Sequence, residues 1–476
     1  MSHPHARLAL APSGRCLQTE TGDPFFWLGD TAWTIPNRLT LEEARQYFDV
    51  RVAQGYTVIQ MVAVDPEGDP DLTNAHGDPA FLDGDPTKPN EAYFRHLDAI
   101  LALAAETGLR VLLLPIWGQI VTGDSWFGGT HEKVVHAGNA YELGLWMGKR
   151  YGGLSHVLWC LGGDRPPVHR GVDYRPVWRR MAEGLAFGVL GKPLSWHVPD
   201  PGWKTLLLTY HTNFQAEPLR YSSSDWFPDE PWIAWHMLQS GHADGIASFD
   251  QVAADYRREP VKPVLDGEPN YEDMPDGYPE FGRLHDAWDV RKRAYWSLFA
   301  GSFGHTYGHA SVWCMVREGE TEPARPYTWR QALERPAAGQ MGHLRRLMES
   351  RPYWRMIPSQ EVLSDPGASL DDHRQCCMDA QGTCLMVYFT SRGSVSLDLS
   401  RLSGDAFHGW WYDPRTGGCR TGHGEPTDGP FAVWTRGEGL SVPIETPEGA
   451  PHEDWVLVID DVDAGHGRPG SSDEDR

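Results

Sequence analysis

Across residues 24–310, short apolar runs rich in Val, Ile, Leu and Trp alternate with stretches of helical periodicity, the pattern of repeated βα units. Runs without polar interruption predict strands buried on both faces, as in a parallel sheet covered by helices. Eight are predicted: Phe25 to Asp30, Thr57 to Val64, Arg110 to Gly118, His156 to Asp164, Pro193 to Pro199, Trp232 to His242, Pro263 to Glu268 and Gly304 to His309. Helical periodicity predicts helices over Leu41 to Gln54, Glu91 to Thr107, Asn139 to Tyr151, Tyr174 to Leu190, Phe249 to Arg258 and His285 to Phe299, with Asn90 placed to cap the second. Only the interval between the fifth and sixth strands lacks a helical pattern.

After a last helix at Gly339 to Glu349 the pattern changes to short strands with turn signals: Cys384 to Phe389, Ser394 to Leu399, Phe407 to Asp413, Phe431 to Thr435 and Trp455 to Ile459. The fold class that follows is α/β: a (β/α)8 TIM barrel over residues 1–348, then a smaller all-β antiparallel sandwich over 349–464. The Gly/Ser/Asp-rich stretch 465–476 reads as a disordered tail.

Two strands end in carboxylates. Leu161-Gly-Gly-Asp-Arg165 follows the fourth apolar run, and Leu265-Asp-Gly-Glu-Pro269 the seventh. Catalysis in such barrels sits at the carboxyl ends of the strands, and hydrolysis of a glycosidic bond needs two carboxyls facing one cleft. Asp164 and Glu268 are therefore the catalytic candidates. Gly162, Gly163 and Gly267 remove side chains beside them, as close substrate approach would require. The structural alternatives are that Asp164 pairs with Arg165 or caps the next helix, and that Glu268 partners a buried ion pair.

Asp30, Trp33, Gln60 and Trp117 belong to the ends of strands one to three, Arg165 to the end of strand four, and Gln239 and His242 to the end of strand six, so a polar and aromatic ring of substrate-binding groups around one mouth is expected. In strand eight a period of two places His305, Tyr307 and His309 on one face, expected to point at the mouth and either bind sugar hydroxyls or orient Glu268. Core packing and helix capping compete as roles for each of these residues.

Composition narrows the partner. A formal charge of -23 repels nucleic acid and anionic membrane, so both are discounted. With 21 Trp, 17 Tyr and 16 Phe the chain is rich in flat aromatic faces that suit a sugar ring, although cores use them too. Seven Cys without a CxxC pair argue against a disulfide framework. Neither HExxH nor an EF-hand loop occurs, and no spacing fixes a third ligand beside His305 and His309, so no metal or other cofactor is expected. The acidic stretch from Asp65 to Asp85 reads as a solvated loop over the cleft, with calcium as the alternative. No run is long enough to span a membrane and the amino terminus lacks a signal pattern, which predicts a cytoplasmic protein.

Several stretches together resemble the apiosidase-like glycoside hydrolases, glycoside hydrolase family 140. They are Phe25-Phe-Trp-Leu-Gly-Asp-Thr-Ala-Trp33, Asn90-Glu-Ala-Tyr-Phe94, Leu113-Leu-Pro-Ile-Trp-Gly118, Leu161-Gly-Gly-Asp-Arg165, Ser222-Ser-Ser-Asp-Trp-Phe227, Gln239-Ser-Gly-His242, Val261-Lys-Pro-Val-Leu-Asp-Gly-Glu-Pro269 and Gly304-His-Thr-Tyr-Gly-His309. The resemblance implies a TIM barrel with a collagen-binding-type sandwich. It also implies release of terminal β-linked apiose from plant glycosides or pectic side chains, by a retaining mechanism with Asp164 as acid/base and Glu268 as nucleophile. Residues 200–221 look like an insertion after strand five, bordering the leaving-group side. An exo-glycosidase for another furanose or pentose such as arabinofuranose, and a non-catalytic carbohydrate-binding protein, are the alternatives.

Overall fold

Eight parallel strands carry the first two thirds of the chain in the computed structural model, which describes residues 6–124, 131–277, 282–436, 441–450 and 453–471. They are β1 (Trp27–Thr31), β2 (Val58–Val62), β3 (Arg110–Leu114), β4 (Val157–Gly162), β5 (Leu208–His211), β6 (His236–Leu238), β7 (Val264–Asp266) and β8 (Gly304–Tyr307). Their order is β5-β4-β3-β2-β1-β8-β7-β6. The gap between β5 and β6 is bridged where the Ala234 N–H donates to the Leu208 carbonyl and the Thr209 hydroxyl to the Trp235 carbonyl, both at 2.7 Å, so the sheet closes into a barrel. A three-stranded meander, Leu8–Leu10, Leu17–Thr19 and Pro24–Phe25, precedes it.

The helices are α1 (Leu41–Ala53), α2 (Glu91–Glu106), α3 (Ala140–Tyr151), α4 (Arg175–Leu190), α5 (Pro201–Leu206), α6 (Ser248–Tyr256), α7 (Ala287–Phe299) and α8 (Pro336–Glu349). Their starts are set locally. Thr40 and Glu43 form a capping box on α1, Asn90 accepts from the Ala92 N–H at α2, and Asp286 and Asp289 form a second box at α7. Behind β4, α3 and α4 cross so closely that a Cβ on Gly184 would lie 2.2 Å from the Tyr141 carbonyl oxygen.

The fifth strand corrects the sequence reading. Residues 193–199 form no strand, because prolines at both ends withhold ladder donors. Asp200 caps α5 with Pro201 in its first turn, and the apolar Leu206-Leu-Leu208 leads into β5. Residues 200–221 are therefore not an insertion after strand five, since they contain it. The interval read as lacking a helix, residues 200–231, in fact holds α5, and between β5 and β6 the described chain makes a 3-10 turn, Ser223–Asp225.

Alternation along the strands sorts two cores. Trp27, Val58, Leu112, Leu158, Met237 and Leu265 fill the barrel, while Leu28, Ile59, Leu113, Trp159 and Leu208 face the helices.

The carboxyl-terminal part is an antiparallel sandwich of β9 (Met356–Pro358), β10 (Arg374–Asp379), β11 (Cys384–Phe389), β12 (Ser394–Asp398), β13 (Ala406–Asp413), β14 (Gly418–Arg420), β15 (Ala432–Thr435), β16 (Ser441–Glu445) and β17 (Trp455–Asp461). One sheet runs β9-β10-β11-β17-β13-β14 with β15 on β13, and β12 pairs β16. β10 and β16 escape the sequence pattern for different reasons. β10 is buried throughout, so it does not alternate, and its buried Arg374, Gln375 and Asp379 deny it the apolar run that marks β11 and β17, while Pro443 interrupts β16, as a two-stranded edge allows.

The sandwich docks on α7. Arg291 makes a bidentate pair with Asp454 at 2.9 and 2.7 Å, Tyr295 stacks on Tyr388, and the indole N–H groups of Trp288 and Trp296 donate to Thr390. Residues 465–471 depart from the expected disorder, because the Gly470 N–H donates to Ser350 Oγ at 3.1 Å and ties the segment back. Residues 472–476 of that predicted tail lie outside the described residues.

Candidate active site

The end of β4 is built by three consecutive left-handed residues, Gly162, Gly163 and Asp164, with φ of 92°, 101° and 52°. The first two must be glycine. A Cβ on Gly162 would lie 2.1 Å from the His211 carbonyl oxygen, and one on Gly163 2.6 Å from the Trp117 ring. Asp164, a non-glycine residue, carries a strained backbone that its neighbours hold in place. The Gly163 N–H donates to the His211 carbonyl at 3.0 Å, and the Asp164 N–H donates to His211 Nδ1 at 3.1 Å. Asp164 Oδ1 accepts from Gln239 Nε2 at 2.9 Å, and Arg165 Nη1 lies 3.4 Å from Oδ2.

Glu268 follows β7 through Gly267, whose carbonyl accepts from Gln60 Nε2 at 2.9 Å. A Cβ there would lie 2.2 Å from Met237 Cε, so a side chain at this position would have to displace the Met237 side chain. Glu268 Oε2 lies 2.8 Å from His211 Nε2, and Oε1 lies 3.3 Å from His242 Nε2.

His211 thus touches both acids, and the contacts fix its tautomer. Because Nδ1 accepts from the Asp164 amide, the proton of the neutral ring sits on Nε2 and faces Glu268. The two carboxyls are driven in opposite directions. Burial, then the charge of Glu268, pushes the Asp164 carboxyl up, against Arg165, His211 and Gln239. Burial also pushes Glu268 up, yet the hydrogen bonds of His211 and His242 outweigh it and hold the group below its ordinary value.

Both acids line one cleft of about 360 Å3 at the carboxyl-terminal mouth of the barrel. Of the residues expected around that mouth, Trp33, Trp117, Gln239 and His242 line it too. Arg165, 1% exposed, lies beneath Asp164 and spans to Gln119, and Gln60 lies beneath Glu268, so these two position the acids from below.

Four expected site residues face away. The register sets His305 opposite Leu28 and Tyr307 opposite Asp30, on the helix side of the sheet. The shared face predicted by the period of two is right, but its phase is opposite, because the inward positions of β1 and β8 go to Trp27 and Thr306, whose side chains hydrogen-bond each other. Asp30 is fully buried and pairs with Arg51 and the Tyr47 hydroxyl, each at 2.5 Å. Tyr307 donates to Glu272 at 2.7 Å, and His309 Nε2 lies 3.0 Å from Asp273. Neither ring nitrogen of His305 has a partner, and burial lowers its pKa to about 3, so the ring is neutral.

Sequence reasoning missed His211, Glu67, Asn213, Phe214, Tyr271 and Trp313 in and around the cleft. The signal for His211 existed: Leu206-Leu-Leu-Thr-Tyr-His-Thr-Asn213 is an apolar run with a polar tip, like the ends of β4 and β7. Glu67 comes from the acidic stretch after β2, where Asp65 and Glu67 are buried rather than solvated. Of the many Trp residues, only Trp33, Trp117 and Trp313 line the cleft among the described residues, while Trp27, Trp178, Trp203, Trp232, Trp235, Trp296, Trp329 and Trp411 are fully buried.

Two groups of three residues among those described bring possible metal-ligand atoms within 4.8 Å, Cys384 with Asp460 and His466, and Asp244 with Asp276 and His285. In each a guanidinium already grips a carboxylate, Arg351 on Asp460 and Arg283 on Asp244, where a cation would have to compete. All seven Cys are free and buried. No helix among the described residues is long and apolar enough to cross a membrane.

A closed (β/α)8 barrel with such a cleft at the carboxyl ends of its strands is the architecture of a glycoside hydrolase, and solved relatives agree. A structure described as a glycoside hydrolase shares 29% identity over 96% of this chain and 98% of its own, with a TM-score of 0.80. A family 5 glycoside hydrolase from Bacteroides vulgatus shares 27% identity over 98% and 96%, with a TM-score of 0.82. The chain belongs to the apiosidase-like family, whose catalytic-domain model matches residues 11–355. Residues 357–460 match a second model, "Putative collagen-binding domain of a collagenase". No curated protein matches the sequence significantly. The enzyme is thus a glycoside hydrolase acting on a carbohydrate.

Proposed function

We propose that the enzyme, read as a member of glycoside hydrolase family 140, releases terminal β-linked apiose with net retention, using Glu268 as nucleophile and Asp164 as acid/base. The carrying observation is the opposed displacement of the two carboxyls in one cleft, which suits one to hold a proton and the other to stay ionised. In the first step a Glu268 oxygen bonds to the anomeric carbon while the bond to the leaving oxygen breaks and Asp164 gives that oxygen its proton. Water then attacks the glycosyl ester, Asp164 takes the water proton, and the Glu268 carboxylate departs. Two inversions leave the original anomer.

His211 serves both steps. Its Nε2–H supports the Glu268 carboxylate, and its Nδ1 holds the Asp164 backbone. Membership in the apiosidase-like family supports apiose as the sugar.

A panel of aryl β-apioside, arabinofuranoside, xyloside and galactoside tests the sugar, with NMR of the first anomer formed testing retention. Preference for arabinofuranoside would replace apiose with that sugar. Turnover by Asp164→Asn or Glu268→Gln near the wild-type rate would remove the pair from the mechanism.

A further inference from the structure

The mouth of the cleft is divided. Trp33, Glu67, Trp117 and Trp313 come from the β1, β2, β3 and β8 side, whereas the loops after β5, β6 and β7 contribute Phe214, Ile246 and Met274. Phe214 and Ile246 meet over Gly241, since a Cβ on that glycine would lie 3.0 Å from Ile246 Cδ1 and 3.1 Å from Phe214 Cγ. Both side chains are only partly buried, while Trp33, Trp117 and Tyr271 are buried, so the apolar patch lies on the outer side of the acids. That is the position of a leaving group.

Charge points the same way. Among the described residues no Lys or Arg lines the cleft, whereas three acidic side chains, Asp164, Glu268 and Glu67, do, and of these Glu268 is held in its ionised form. Arg165 is turned beneath Asp164 and 1% exposed. The chain as a whole carries -23. A uronate chain brings a carboxylate on every residue and is bound by guanidinium and ammonium groups, and here like charge would oppose it at long range and nothing would pair it at contact.

We infer that the leaving-group subsite takes an uncharged, largely apolar acceptor, a phenolic ring, and rejects a polyuronate. A flat ring can lie against the apolar surface that Phe214 and Ile246 form together, and the Met274 thioether offers a polarisable contact to an aromatic edge. The inference rests on the glycoside-hydrolase reading of the same cleft but not on which sugar is cleaved.

The test uses acceptors that lack the scissile sugar, so it is independent of the apiose assignment. Binding of a neutral phenyl glucoside and of trigalacturonate to the full-length enzyme is measured by calorimetry at about 20 mM salt, where charge effects are least screened. The phenyl glucoside should bind at least about tenfold more tightly. Phe214→Ala and Ile246→Ala should each weaken it by roughly three- to tenfold with thermal transitions unchanged, and Ile246→Lys should improve trigalacturonate binding. Equal or tighter binding of trigalacturonate, no detectable binding of the phenyl glucoside up to its solubility, or indifference to both alanine variants overturns the inference. A failed apioside panel with this selectivity intact rejects the sugar alone.

Discussion

The Asp164 amide donates to Nδ1 of His211 at 3.1 Å, so the backbone of one candidate acid decides which nitrogen of the imidazole carries a proton. That proton then lies on the nitrogen 2.8 Å from Glu268. A doubly protonated ring would have to give up the Asp164 contact, which ties the two carboxyls to one neutral side chain.

Replacing His211 by Ala should therefore move the acid limb of kcat/KM to higher pH. Its hydrogen bond helps hold Glu268 below the ordinary carboxylate range, and without it burial raises that carboxyl, so the ionised form is lost at a higher pH as acid is added. A fall in kcat of roughly 10²–10⁴ should accompany the shift. An acid limb that stays in place in the variant would take His211 out of the control of Glu268.

Asp164→Asn should discriminate between leaving groups. Proton donation matters most where the departing oxygen is basic, so kcat/KM should fall by roughly 10²–10⁴ on an alkyl glycoside and far less on a dinitrophenyl glycoside. Equal losses on both substrates would assign Asp164 a structural role under Arg165 and Gln239.

The placing of Asp164 and Glu268 in one cleft, seven of eight barrel strands and the separate sandwich were legible because each is written in contiguous residues. Uninterrupted apolar runs mark strands buried on both faces, and Gly-Gly-Asp and Asp-Gly-Glu mark their ends. Phase was not legible. A strand covered on both faces is apolar on both, so nothing local says whether Tyr307 or Thr306 points inward, and only pairing with β1 settles it. His211 was hidden by the misplacement of one strand, since prolines at 193 and 199 framed an apparent strand and the real one lies beyond α5. Glu67 looked solvated because its neighbours are acidic, and only tertiary closure over the cleft buries it.

The phase correction has its own test in the Arg51 and Asp30 pair, whose side chains are both fully buried between the barrel and α1. Arg51→Ala leaves a buried carboxylate without its cation, a change that costs about 3–5 kcal/mol in comparable pairs. Denaturant unfolding should register that loss while kcat/KM of the folded enzyme stays near wild type. A variant with normal stability and a raised KM would instead return Asp30 to the sugar site.

Glu67 should set the alkaline side of the activity profile. Its carboxyl is pushed up to about 7 by burial, against Arg165 and with help from the charge of Asp164. Above that pH Glu67 ionises and places a negative charge near Asp164, which favours the protonated form of the acid. Glu67→Gln removes that charge at every pH, so the Asp164 carboxyl loses its proton more readily and the alkaline limb of kcat/KM moves to lower pH. The acid limb, governed by Glu268 with His211 and His242, should move much less. Glu67 and Gln are close in size, so the thermal transition at pH 5, where the native carboxyl is protonated, should match wild type. An alkaline limb that stays put, or moves up, in Glu67→Gln would show that Glu67 lines the cleft without influencing the acid.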